Sequence, residues 1–132
     1  MPSFSDPGGP IEELSWGLFK IEGTLHGESG DETRGAGKDI RIVDGSVSSW
    51  RERRGHLLKE KMITGIDPAR VDILVIGTGI YGRIHCPKKL IRALRASGLQ
   101  DIITQPTAEA CATFNRLYRT DRRVALLAHG TC

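Results

Sequence analysis

The chain of 132 residues is 39% hydrophobic and 27% charged, which is typical of one globular domain and not of a disordered or fibrous protein. Its 19 Lys and Arg residues outnumber its 16 Asp and Glu residues only slightly, too little to predict a dedicated nucleic-acid surface. Apolar runs such as residues 73–76 are far shorter than the roughly 20 residues of a membrane-spanning helix. We therefore expect neither a nucleic-acid partner nor a membrane span.

The N-terminal stretch "MPSFSDPGGP" has neither the positive start nor the apolar core of a signal peptide. We predict a flexible leader over residues 1–13 and a single domain over residues 14–132. The cysteines are odd in number and widely spaced, which favours reduced thiols over a disulfide framework: Cys86, Cys111 and Cys132. These features together predict a cytoplasmic protein.

The first half of the domain is predicted to be mainly extended. The alternation in "LSWGLFKIEG" predicts one strand beginning at residue 14. Residues 23–38 contain five glycines and few apolar side chains, so we expect a mobile loop there. The Asp44-Gly45 dipeptide between two short apolar segments predicts a β-hairpin. Residues 51–70 are interpreted as a short helix or an irregular connection.

The second half shows a β-α-β-α-β pattern. A strand at residues 71–76 leads through a glycine loop to a helix that begins near Pro87 and stops at Gly98. After a second strand, Thr107 is expected to cap a second helix, and the apolar run 124–128 predicts a strand buried on both faces. The predicted fold class is α/β, a single three-layer domain with a mixed central sheet flanked by helices, plus an N-terminal β-hairpin.

The glycine loop matches the dinucleotide fingerprint G-x-G-x-x-G through Gly77, Gly79 and Gly82. A dinucleotide site, however, begins its helix inside the motif, whereas here Pro87 moves the helix start away. The acidic residue at roughly the expected distance, Asp101, lies at the start of its strand. We therefore disfavour NAD, expect no cofactor, and interpret the glycines as a turn that lets strand and helix pack closely.

Four ordered motifs carry a resemblance to a known family: "WRERRGH" at 50–56, "LVIGTGIYG" at 74–82 followed by Pro87, "FNRL" at 114–117, and "VALLAHGTC" at 124–132. With these motifs the chain resembles the family of the adipogenesis-associated domain protein, which also contains a mitochondrial respiratory complex I assembly factor. The resemblance implies a three-layer α/β domain without an established activity, cofactor or catalytic residue, and roles in assembly or regulation for some members.

The first candidate site lies within residues 50–56 and groups an aromatic ring, a guanidinium, a carboxylate and an imidazole. Such a set can bind an anion or transfer protons. The alternative, which we favour, is that the tryptophan packs in the core and the charged residues form ordinary surface pairs. The candidate residues are Trp50, Arg51, Glu52 and His56.

The second candidate site is the glycine turn at the carboxyl end of a parallel strand, where open α/β sheets place ligands. Backbone N–H groups there can hold a phosphate or carboxylate, and the tyrosine can act as a lid or simply cover the turn. We leave both interpretations open. The candidate residues are Gly77, Thr78, Gly79, Tyr81 and Gly82.

Other polar residues are given structural interpretations. His129 and Cys132 are too few to form a metal site, so a satisfied buried histidine and a free thiol are favoured, and no metal or catalytic residue is predicted. The leading hypothesis is a non-enzymatic accessory or interaction protein, a monomer or weak homodimer that binds a protein partner through the glycine turn and residues 50–56. The alternative is a small enzyme or binding protein for an anionic metabolite at residues 77–82, with His56 or Glu52 as the acid or base.

Overall fold

The computed structural model describes residues 2–27 and 37–132, which form two helices, nine strands and one short 3-10 helix. The first four strands are β1 (Phe4–Ser5), β2 (Ile11–Ser15), β3 (Leu18–Ile21) and β4 (Thr24–His26). The other strands are β5 (Asp39–Val43), β6 (Ser46–Ser49), β7 (Ile73–Gly77), β8 (Asp101–Gln105) and β9 (Val124–His129). The helices are α1 (Lys88–Ala96) and α2 (Thr107–Tyr118), and the 3-10 helix is Glu60–Met62.

A five-stranded mixed sheet with the order β6-β5-β9-β7-β8 forms the centre of the fold. β7 pairs in parallel with both β8 and β9, whereas β5 is antiparallel to β6 and β9. β7 is buried along its whole length and β9 along all but its first residue, as their continuous apolar sequences predicted.

Each face of the central sheet is covered by its own hydrophobic core. On one face, α2 and the N-terminal strands pack against the sheet around Phe19, Phe114 and Leu126. On the other face, α1 and the segment after β6 pack around Trp50, Leu74 and Leu94. This arrangement of three layers confirms the predicted α/β fold class.

The N-terminal region differs from the predicted leader and single strand. β1 to β4 form a four-stranded antiparallel sheet, and Ile11 is fully buried within its core. The alternating sequence turns back on itself at Gly17, whose φ of 67° lies in the left-handed region that favours glycine. Residues inside the predicted leader are therefore part of the packed domain.

Other local predictions have mixed outcomes. The hairpin at Asp44 and Gly45 is confirmed, and both residues have the positive φ that a two-residue hairpin turn of this type requires. Within the predicted glycine-rich loop, β4 occupies residues 24–26, while residues 28–36 lie outside the described residues. The cap of α2 is Pro106 rather than Thr107, because the Thr107 side chain is used in contacts with other segments.

Candidate functional site

The backbone amides of the glycine loop donate hydrogen bonds within the chain. The loop continues directly from β7 and passes between the start of α2 and residues 131–132. The sequence suggested that N–H groups here can hold an anion, but in the structure four of them donate to acceptors in neighbouring segments or within the loop. The bonds are Thr78 N to Gln105 O at 2.9 Å, Gly79 N to Thr107 Oγ1 at 2.8 Å, Ile80 N to Thr131 O at 2.9 Å and Gly82 N to Gly79 O at 3.1 Å.

Steric contacts explain why glycines occur in this loop. A Cβ on Gly77 would lie 2.9 Å from Thr107 Oγ1, and one on Gly79 would lie 2.5 Å from the carbonyl carbon of Cys132. Gly79 also has a φ of 110°. The glycines thus permit close packing between the loop, α2 and residues 131–132, which is the structural interpretation that the sequence offered.

Trp50 is a core residue. Its side chain is only 1% exposed, and its indole N–H donates to the carbonyl oxygen of Met62 at 2.8 Å. This bond satisfies the polar edge of a buried indole and fixes the 3-10 helix onto the core. The interpretation of Trp50 as a packing residue is therefore the one that its position supports.

Glu52 lies on the surface and is engaged by two polar groups. The Arg41 guanidinium lies 3.0 Å from Glu52 Oε1, and the Thr64 hydroxyl donates to the same oxygen at 3.0 Å. Partial burial raises the pKa of the Glu52 carboxyl, but the Thr64 hydrogen bond and the Arg41 charge outweigh that effect and lower the pKa. Glu52 is thus a paired carboxylate and not a proton donor near neutral pH.

Glu52 and His56 lie on the wall of one cavity, whereas Arg51 is exposed and is not among its lining residues. The cavity has a volume of about 630 Å³, within the size range of small-molecule sites. Besides these two residues it is lined by Gly55 and by a set of basic and apolar side chains: Arg54, Leu57, Lys59, Lys61 and Met62. We call this cavity the basic groove.

Tyr81 forms an exposed aromatic pair with Trp16. The Trp16 side chain is 55% exposed and the Tyr81 side chain 69%, and their ring centroids are 5.8 Å apart with the planes tilted by 49°. Both rings stand on segments bound to the same stretch of chain. Gly17 N donates to Gly130 O at 2.7 Å, and Ile80 N donates to Thr131 O at 2.9 Å.

A buried polar network is formed by His129 and Thr131 next to this stretch, together with Asp39 and Arg53. Asp39 Oδ1 is 2.7 Å from His129 Nδ1, and Thr131 Oγ1 is 3.2 Å from His129 Nε2. The second oxygen of Asp39 accepts a hydrogen bond from Arg53 Nε at 2.7 Å. Within residues 2–27 and 37–132, no buried side-chain nitrogen or oxygen lacks a partner, so the network is fully satisfied. His129 is the satisfied buried histidine that the sequence favoured.

Several residues of these surfaces were not singled out from the sequence. Trp16 carries a weak signal, because a tryptophan followed by glycine inside an alternating strand is compatible with an exposed turn. Lys59 and Lys61 carry no usable signal, because Lys61 lies in the 3-10 helix that Lys59 caps, where residues two apart do not share a face. Asp39 carries no signal at all, because its partner His129 is 90 residues away.

In the described part of the chain, His, Cys, Asp and Glu side chains form no group of three that could hold a metal ion. The three cysteines are unpaired, and burial raises the pKa of the Cys86 thiol to about 11 and that of Cys111 further still. None of the helices within residues 2–27 and 37–132 has the length and apolar character needed to span a bilayer.

Comparison with solved structures shows the fold. A conserved hypothetical protein from Pyrococcus horikoshii is 25% identical with a TM-score of 0.70, covering 92% of this chain and 98% of that chain. A protein described as an outer membrane protein from Bartonella henselae is 20% identical with a TM-score of 0.73, and both chains are covered completely. A Bordetella pertussis protein described as a Mth938-like domain is 18% identical with a TM-score of 0.60, covering 91% of this chain and 84% of that chain.

A search of curated proteins finds no match. A family model, described as "Protein of unknown function (DUF498/DUF598)", matches residues 11–129. The matched range begins at the first residue of β2 and ends at the last residue of β9, so it includes the central sheet and both helices. The chain therefore belongs to the DUF498/DUF598 family, whose molecular function is unknown.

Proposed function

We propose that this protein is a non-enzymatic accessory protein of the cytoplasm that binds another protein through the exposed pair Trp16 and Tyr81. The observation that carries the proposal is the pairing itself. Two large aromatic side chains from different segments contact each other while more than half of each surface remains exposed. Aromatic residues of this kind are enriched at the energetic centres of protein interfaces.

The backbone beneath the pair supports the proposal, because a prearranged surface loses less conformational entropy on binding. The turn that carries Trp16 and the loop that carries Tyr81 are both hydrogen-bonded to residues 130–131. The resemblance to the family of the adipogenesis-associated domain protein, which includes a complex I assembly factor, also favours an accessory role. Since Trp50 is buried, the proposed contact shifts from residues 50–56 to the outer side of the glycine loop.

The alternative, an anionic metabolite bound by the amides of residues 77–82, has less support. Four amides of this loop already donate to acceptors inside the protein, so a ligand there would have to break existing bonds. A homodimer through the same aromatic pair is a further alternative, in which the partner is a second copy of the chain.

Site-specific crosslinking tests the proposal. A photoreactive phenylalanine analogue replaces Tyr81 in the native host, and the same analogue replaces the exposed residue Tyr118 as a matched control. We expect a single crosslinked protein at position 81 and not at position 118. With the purified partner, Trp16→Ala and Tyr81→Ala should each weaken binding by about tenfold or more, while Tyr118→Ala leaves it unchanged.

Two outcomes would contradict the proposal. One is the same crosslinking pattern at positions 81 and 118, which would indicate nonspecific contact. The other is crosslinking of the chain only to itself, which would indicate the homodimer instead.

A further inference from the structure

The basic groove carries more positive than negative charge. It is lined by Arg54, Lys59 and Lys61, with Glu52 as the one acidic lining residue. In the part of the chain that the structure describes, no acidic side chain forms an ion pair with any of these three cations. A concave surface lined by one sign of charge concentrates its field and attracts the opposite charge.

The single carboxylate in the groove is already neutralised. Glu52 Oε1 accepts from Arg41 and from Thr64, and Arg41 Nε also donates to the Thr64 carbonyl oxygen at 2.7 Å. These bonds pair Glu52 with Arg41, which is not one of the cations that line the groove. The repulsion that Glu52 would exert on an incoming anion is thereby reduced.

The frame of the groove is fixed to the protein core. Leu58 N donates to His85 O at 3.0 Å, and His85 N donates to His56 O at 2.7 Å. The carbonyl of Met62 accepts from the buried Trp50 indole, and both Leu58 and Met62 are buried. One of the cations is also positioned, since Arg54 Nη1 donates to the Arg51 carbonyl oxygen at 2.6 Å. The groove is therefore largely preformed.

A second cavity of about 260 Å³ adjoins the basic groove along α1 and shares Leu57 and Lys59 with it. Its lining is mainly apolar, and the Leu57 side chain, 48% exposed, stands where the two cavities meet. The other lining residues are Leu58, Glu60, Pro87, Lys89, Leu90 and Ala93.

We propose that the basic groove and its apolar neighbour together bind a small organic phosphate, with the phosphate facing Arg54, Lys59 and Lys61 and an apolar group against Leu57, Pro87 and Leu90. Phosphate oxygens accept the charge-assisted hydrogen bonds that these cations offer. The apolar group accounts for the second cavity, which an inorganic ion would leave unused. This site is independent of the proposed protein contact at Trp16 and Tyr81.

Amide NMR with phenyl phosphate as the probe tests this inference on the full chain. We expect saturable shifts confined to residues 54–62 and to the start of α1, with inorganic phosphate binding at least about tenfold more weakly and benzyl alcohol producing no saturable shift. Lys59→Gln should weaken phenyl phosphate binding by about tenfold, because it removes one charge-assisted hydrogen bond. Lys88→Gln, which removes an exposed lysine that lines neither cavity, is the matched control and should change the affinity less than about twofold.

Three results would overturn the inference. Shifts scattered over the whole surface would indicate nonspecific attraction to a basic protein. Equal effects of Lys59→Gln and Lys88→Gln would mean that the groove does not hold the phosphate. Equal affinity for phenyl phosphate and inorganic phosphate would remove the role of the apolar cavity. An Arg54→Gln variant repeats the comparison at a second cation and should weaken the probe by a similar factor.

Discussion

Asp39 and His129 lie directly opposite each other on β5 and β9, and their side chains meet at 2.7 Å in the interior. The same Asp39 carboxylate also accepts from Arg53 and from the amide of Gly130. One carboxylate thus joins the start of β5, the segment after β6 and the residues that follow β9. Because the carboxylate is buried, removing its charge should cost far more stability than removing a surface charge.

We predict that Asp39→Asn lowers the free energy of unfolding by about 2–4 kcal/mol. The amide has no negative charge and only one acceptor oxygen, whereas the two carboxylate oxygens of Asp39 face Arg53 and His129. Urea unfolding at neutral pH measures this change. Asp44→Asn is the control, since Asp44 is exposed, lies 3.9 Å from Arg70, and has a positive φ that asparagine tolerates. A loss at Asp39 no larger than that at Asp44 would contradict the structural role of the network.

The stability difference between the wild-type protein and Asp39→Asn is expected to depend on pH. Burial raises the pKa of the Asp39 carboxyl, but the hydrogen bonds from His129 and Arg53 outweigh it, so the folded-state pKa lies below the ordinary value of 3.8. Its contribution to stability is therefore complete above pH 3.8 and disappears as the pH falls through the lower folded-state pKa. Between pH 7 and pH 3 the wild-type protein should lose more stability than Asp39→Asn. Parallel losses in the two proteins would show that Asp39 is not responsible.

Gly79 provides a steric test of the packing at the glycine loop. An added Cβ would lie 2.5 Å from the backbone of Cys132, and the residue has a φ of 110°. We expect Gly79→Ala to destabilise the protein by roughly 3 kcal/mol or more, since backbone has to move. Gly23→Ala is the matched control, because Gly23 also has a positive φ but meets nothing within 4 Å, and it should cost only about 1 kcal/mol. Thermal unfolding of both variants decides the matter, and equal losses would contradict the predicted contact with Cys132.

The thiols are expected to react very unequally. Burial raises the pKa of Cys86 to about 11 and raises that of the fully buried Cys111 further, so neither forms much thiolate near pH 8. A disulfide reagent at pH 8 should modify Cys132 first in the folded protein and all three cysteines in denaturant. The labelling rate of Cys86 should rise as the pH approaches 11. Fast labelling of Cys86 at pH 8, shown by peptide mapping, would contradict the raised pKa that its partial burial causes.

The sequence predicted the parts of the fold that have strong local patterns. The apolar runs of β7 and β9 and the Asp44-Gly45 turn are each specified by neighbouring residues, and all three are confirmed. The turn at Gly17 was missed because the alternation of Leu14, Trp16 and Leu18 continues through it without interruption. A period of two cannot distinguish one strand from a hairpin whose turn preserves the alternation.

The candidate surfaces were less predictable because they depend on contacts between distant segments. Both tryptophans of the sequence follow a serine, yet Trp50 is buried and Trp16 is exposed. Trp50 is covered because the 3-10 helix packs against it, and its indole N–H donates to Met62, which is 12 residues away in the sequence. The pairing of Trp16 with Tyr81 likewise requires knowing that both of their segments bind residues 130–131.

The central position of β9 has a consequence for how the protein is made. β5 and β7 are not hydrogen-bonded to each other, and the β5-β6 pair is joined to the β7-β8 pair only through β9 between them. During synthesis, the hairpin of β5 and β6 and the β7-α1-β8 unit both emerge from the ribosome with one sheet edge unpaired. The sheet can close only after residues 124–129 have been translated, so until that moment the nascent chain exposes two edges that are open to pairing with strands of other chains.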